Sequence, residues 1–166
     1  MAIKELFRTM ELLQEQHEAL IELGEQKREA VVRNEVSRLP ELTTKESRLL
    51  RLVQEAEQAR QKAVAQYCVS KGVAANPGMS MSSLVRLETN VGDKVRLEEL
   101  GNRLVETVSR LSALNEQNLE LLRQAVDFNE FTIGLLTGSE DQDVVYKPPA
   151  NYNGYGAGAR MFDSRA

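Results

Sequence analysis

Residues 100–136 read LGNRLVETVSRLSALNEQNLELLRQAVDFNEFTIGLL, and the fold turns on this stretch. Leu100, Leu104, Thr107, Leu111, Leu114, Asn118, Leu121, Ala125, Phe128, Thr132 and Leu135 alternate steps of four and three without a slip. That period belongs to an α-helix that lays one stripe along a neighbour. Leu97, Val108, Leu122 and Phe131 widen the apolar face, while Asn115 and Asn118 interrupt it with amides. A buried amide in such a seam acts as a register device. The pattern predicts a helix over about 93–137, which at about 1.5 Å per residue is nearly 70 Å long, more than a compact globule of this size needs.

Towards the N-terminus the same period returns twice. Ile3, Leu6, Met10, Leu13, Leu20 and Val31 form a first seam, with His17, Gly24 and Lys27 on the intervening steps and Phe7, Ile21 and Leu23 broadening it. The pattern stops near Asn34, and Pro40 is compatible with a helix only in its first turn, so a reversal is predicted at about 33–39. The second seam carries Leu42, Leu49, Val53, Ala56, Ala63 and Tyr67 and ends near Ser70, Lys71 and Gly72. Its alanines predict close approach of a neighbour. Asn76-Pro77-Gly78 signals a turn, after which Ser80 or Ser82 can cap a short helix through Leu84, Val85 and Leu87. The expected fold is all-α: an elongated antiparallel helical bundle or coiled coil of three long helices plus one short helix, with a disordered C-terminal tail. The expected division is a helical domain over 1–137 and a flexible tail over 138–166.

Beyond Thr137 the periodicity ends, with Pro148-Pro149 and four of the ten glycines. Six of the eight aromatic residues, Phe128, Phe131, Tyr146, Tyr152, Tyr155 and Phe162, nevertheless lie from position 128 onwards. Aromatic side chains on a segment with no core of its own point to a partner. The run GYGAG at 154–158 lacks the strand and helix that a phosphate-binding loop requires.

Composition narrows the chemistry further. The 166 residues suit one domain. With 21 Lys and Arg interspersed among 25 Asp and Glu, net charge −4, the chain has no basic stripe for nucleic acid. One cysteine and one histidine leave no internal disulfide, zinc cluster or paired catalytic design. His17 reads as a packed or half-exposed polar residue and Cys68 as a small buried hydrophobe. The glutamates of the first helix, Glu11 to Glu29, read as a solvated face. The opening residues alternate charges instead of forming the apolar core of a secretory signal, and no unbroken apolar run nears a membrane span, so neither a secreted nor a membrane-spanning protein is expected. A cytoplasmic protein without catalytic function, cofactor or metal is expected, with neither nucleic-acid binding nor membrane insertion.

Three stretches together resemble the FlgN family of flagellar type III export chaperones: ELGEQKREAVVRNEV at 22–36, the proline turn and short helix of 72–87, and LNEQNLELLRQAVDFNEFTIGLL at 114–136. The resemblance runs in order over about 1–138. It implies a helical chaperone that binds the C-terminal segments of the hook-filament junction proteins FlgK and FlgL, prevents their premature self-association and delivers them to the flagellar export apparatus. It also implies substrate recognition in the C-terminal part, which here points to Asn118, Leu121, Leu122, Ala125, Phe128, Phe131 and Leu135. Asn129 and Thr132 stand where the family more often has apolar residues. Tyr152 and Tyr155 join the partner-binding set through the aromatic argument alone. The alternative is a structural coiled-coil adaptor that dimerises through the third long helix and tethers other proteins; a homodimer is compatible with either reading.

Overall fold

The computed structural model describes residues 1–138, which are all-α: α1 Ala2–Val32, a 3-10 turn Val36–Arg38, α2 Leu39–Ser70, α3 Met81–Leu87 and α4 Val91–Leu136, with no strand among the described residues. The chain divides into two units, Met1–Ala125 and Val126–Ala166, of which the second is described only as far as residue 138. The first contains α1, α2, α3 and α4 up to Ala125.

Local chemistry sets the helix ends. At the end of α1, Asn34 adopts a left-handed conformation with φ 57°. Its N–H bonds to Val31 O at 3.1 Å, and Glu35 N–H bonds to Ala30 O at 2.8 Å. This double closure uses carbonyls that the helix leaves unpaired, and asparagine tolerates the positive φ better than most residues. The 3-10 turn completes the reversal, and Pro40 falls in the first turn of α2, where its missing N–H costs nothing. The same closure ends α2: Gly72 has φ 74°, with Gly72 N bonded to Val69 O and Val73 N to Cys68 O, both at 3.0 Å. Of the two candidate caps for α3, Ser80 serves, its hydroxyl accepting from Ser83 N at 3.3 Å. α4 begins at Val91, ahead of the expected start near 93, because Asn90 Oδ1 accepts from Asp93 N at 3.0 Å and so draws Gly92 into the first turn.

The core of the first unit forms where both ends of the α1–α2 hairpin are closed. At one end Leu6, Phe7 and Met10 of α1 meet Val64, Tyr67 and Cys68 of α2, Leu84 and Val85 of α3 and Leu97 of α4. At the other, Leu23 and Ala30 meet Leu42. Residues early in α1 therefore face residues late in α2, so the two helices are antiparallel, and Ala56 and Ala63 are buried as the sequence led one to expect. Gly101 lets α3 approach α4, since a Cβ there would lie 2.7 Å from Met81 Cγ.

α4 runs parallel to α1. Glu11, Glu18 and Glu25 pair with Arg96, Arg103 and Arg110 at 2.6, 3.3 and 3.1 Å, the partners always 85 positions apart and each pair one heptad beyond the last. These bridges are exposed, so each contributes about 0–1 kcal/mol. Their value is as a record of register.

Candidate functional site

Within the first unit, α4 turns Thr107, Leu114 and Asn118 inward. Gln14 Nε2 of α1 donates to Thr107 Oγ1 at 2.6 Å and to Glu18 Oε1 at 2.7 Å. Asn118 Nδ2 donates to the Gly24 carbonyl at 2.8 Å, and a Cβ on Gly24 would lie 2.7 Å from Leu114 Cδ2. Glycine at position 24 is thus what lets Leu114 and the Asn118 amide reach the α1 backbone. Asn118, grouped from the sequence with the partner-binding residues, is 5% exposed. Its amide is committed to α1, which gives it the geometry of a register lock and leaves no surface for a partner. Asn115, the second amide that interrupts the apolar face, is exposed.

Leu121, Leu122 and Ala125 are half-buried. A shallow groove of about 700 Å³ runs beside them, lined by Arg28 of α1 and by Ala113, Gln117, Leu119, Leu121 and Arg123 of α4 among others.

The described part of the second unit has a different surface. Phe128 is 67% exposed, Phe131 64% and Leu135 67%. Three more large apolar side chains accompany them, Val126, Ile133 and Leu136, all exposed. These three lie outside both the main seam and the residues that widen it, so the sequence pattern did not single them out; the available signal was large aliphatics beyond that stripe. Thr132 Oγ1 donates to Phe128 O at 2.9 Å and Thr137 Oγ1 to Ile133 O at 2.8 Å. Both hydroxyls are therefore spent on the helix's own backbone. Tyr152 and Tyr155, with Tyr146 and Phe162, lie outside the described residues.

The titratable groups elsewhere have structural work. His17 is half-buried, its Nδ1 2.7 Å from Leu13 O, which requires Nδ1 to carry the proton. Cys68 is a buried free thiol. The densest polar cluster surrounds Glu88, a residue outside every seam. Its Oε2 accepts from the Tyr67 hydroxyl at 2.7 Å, and its Oε1 from Lys71 Nζ at 3.0 Å and from the Thr89 and Asn90 N–H groups at 2.8 Å each. Burial alone would raise the carboxyl; the Asn90 N–H, the Tyr67 hydroxyl, the Lys71 ammonium and the Thr89 N–H outweigh it and hold the group down at about 2. Burial and the adjacent carboxylate push the Tyr67 phenol well above its usual range. Each donor is aimed inward, so the cluster pins the α3–α4 connection onto the end of α2 rather than presenting a base to a substrate. Among the described residues no group of three His, Cys, Asp or Glu could hold a metal ion, and no helix is long and apolar enough to cross a membrane.

A protein of Bacillus subtilis (strain 168), described as "Uncharacterized protein YvyG", is 26% identical over 166 residues, the full length of both chains. No solved structure matches the chain at a significant level. The family model described as "FlgN protein" matches residues 1–154. With that match spanning every helix, the chain belongs to the FlgN family, a family of flagellar chaperones.

Proposed function

We propose that the protein is a cytoplasmic export chaperone for the hook-filament junction proteins FlgK and FlgL. It binds their C-terminal segments, keeps those segments from associating prematurely and delivers them to the flagellar type III export apparatus. Membership of the FlgN family supports the class of function. The observation that carries the binding site is the bare apolar surface of the second unit, above all Phe128 and Phe131.

The chemistry follows from that surface. An amphipathic client helix offers apolar side chains three and four residues apart, the spacing of Phe128, Phe131 and Leu135. Burying one such side chain contributes about 1.5–3 kcal/mol, and several together reach the roughly 8–12 kcal/mol of micromolar to nanomolar binding. That range protects a client and still permits its release. Half-buried Leu121, Leu122 and Ala125 supply further apolar contacts from the first unit, and Tyr152 and Tyr155 of the C-terminal segment add aromatic ones. The function is that of an adaptor and involves no catalysis.

The test is binding of the full chain to the C-terminal segment of a junction protein, followed by calorimetry. Phe128→Asp with Phe131→Asp should abolish binding while the helical circular dichroism survives, because both side chains are exposed. Undiminished client binding by that double variant would overturn the assignment of the site. Loss of self-association in place of client binding would favour the coiled-coil adaptor.

A further inference from the structure

α4 carries a second heptad seam that the described residues leave largely uncovered. Val105, Val108, Ser112, Asn115, Leu119 and Leu122 alternate steps of three and four, and all six lie in the first unit. They are offset by one residue, about 100° around the helix, from the seam that gives Thr107, Leu114 and Asn118 to the bundle. Val105 is 68% exposed, Val108 42% and Leu119 50%; Ser112 and Asn115 are exposed and Leu122 is half-buried. A helix that repeats apolar and small residues at this period on a wet face is arranged for another helix.

We infer that this face pairs antiparallel with the same face of a second copy, forming a two-fold symmetric dimer. The order of the six residues identifies the occupant. Run against its own reverse, the seam sets Val105 opposite the partner's Leu122, Val108 opposite the partner's Leu119 and Ser112 opposite the partner's Asn115, and the two-fold axis makes each pairing twice. Every valine meets a leucine. Each hydroxyl meets an amide, so the polar layers at the centre satisfy each other and specify the register. On the flank, Arg123 and Glu116 come opposite the partner's Asn102 and Ser109, so no like charges meet. A parallel pairing in register would instead stack Asn115 on Asn115 and bring Glu116 towards the partner's half-buried Leu111. The contact along 105–122 is about 26 Å long at about 1.5 Å per residue. It uses none of Phe128, Phe131 or Leu135 and shares only Leu122 with the client surface, so substitutions at Val105 and Leu119 separate dimerisation from client binding.

Sedimentation and light scattering of the full chain across a wide concentration range should show the mass of two 18.6-kDa chains at the upper end. Val105→Glu with Leu119→Glu should hold the mass at one chain throughout with unchanged helical dichroism, whereas Phe128→Asp should still dimerise. Orientation is read independently of folding losses by oxidising mixed single-cysteine variants. A Ser112→Cys copy should cross-link to an Asn115→Cys copy, and Ser112→Cys should not cross-link efficiently to itself. A single-chain mass for the native protein at every concentration, a dimer indifferent to the glutamate pair, or preferential Ser112→Cys self-cross-linking would each overturn the inference.

Discussion

Replacing Glu88 with glutamine should destabilise the protein at neutral pH and cost progressively less as the solution is acidified. The folded carboxyl titrates at about 2 against an ordinary value of 4.5. A carboxyl lowered by folding adds stability that is complete above its unfolded value and is lost as pH falls towards its folded value. The gap between the two values corresponds to about 3 kcal/mol at pH 7 and leaves about 1 kcal/mol at pH 3, so roughly 2 kcal/mol disappears between them. Glutamine keeps one acceptor but turns an NH₂ towards donors, Lys71 Nζ and two backbone N–H groups on one side or the Tyr67 hydroxyl on the other. The variant should therefore lose about 3 kcal/mol at neutral pH. Urea unfolding followed by circular dichroism, run on both proteins from pH 7 to pH 3, gives the difference in stability at each pH; carboxylates common to both proteins cancel. That difference should shrink by about 2 kcal/mol on acidification. A difference that stays constant with pH would refute the claim that Glu88 is held ionised by its donors. Tyr67→Phe removes one of those donors, so it should cost about 1 kcal/mol and weaken the pH dependence as well.

Two backbone positions and the client surface yield further expectations. Gly24→Val places side-chain atoms where Leu114 Cδ2 already lies 2.7 Å from a Cβ; urea unfolding should show a loss of about 1–3 kcal/mol from overpacking. A variant as stable as the native chain would mean that α1 and α4 do not approach so closely. Gly72→Ala meets no atom within 4 Å but must hold φ 74°, so it should cost about 1 kcal/mol through the backbone alone. Thermal unfolding distinguishes that modest loss from a collapse of the α2 end. Phe131→Ala taken singly should weaken client binding by about 1.5–3 kcal/mol, the burial value of one such side chain, and titration calorimetry reads it directly.

The helices were legible because their signals are local. A repeating apolar step, Pro40 in a first turn and the Asn76-Pro77-Gly78 turn act within a few residues of themselves, so their reading needs no knowledge of the fold. Smaller misplacements have local causes too. The Asn90 cap moves the start of α4 earlier, and two neighbouring serines competed on equal terms until Ser80 was seen to bond Ser83. Glu88 could not be found this way, because its donors arrive from the end of α2 and from the two residues that follow it. Asn118 could be recognised as an interruption of a seam, but the Gly24 carbonyl that takes its amide lies 94 positions away.

Sequence by itself settled the helical class and the approximate extents of the elements, because periodicity states which side chains share a face. It could not say which faces are covered. Leu114 and Phe128 occupy the same seam, yet Leu114 is 7% exposed and Phe128 67%. Val105 and Leu119 likewise form part of a second seam that the described residues leave exposed. Coverage depends on where other helices lie in space, and that is decided by the sum of long-range packing against α1 and by the glycine that admits Leu114, the Glu and Arg pairs recording the resulting register. No repeat within α4 encodes those distances.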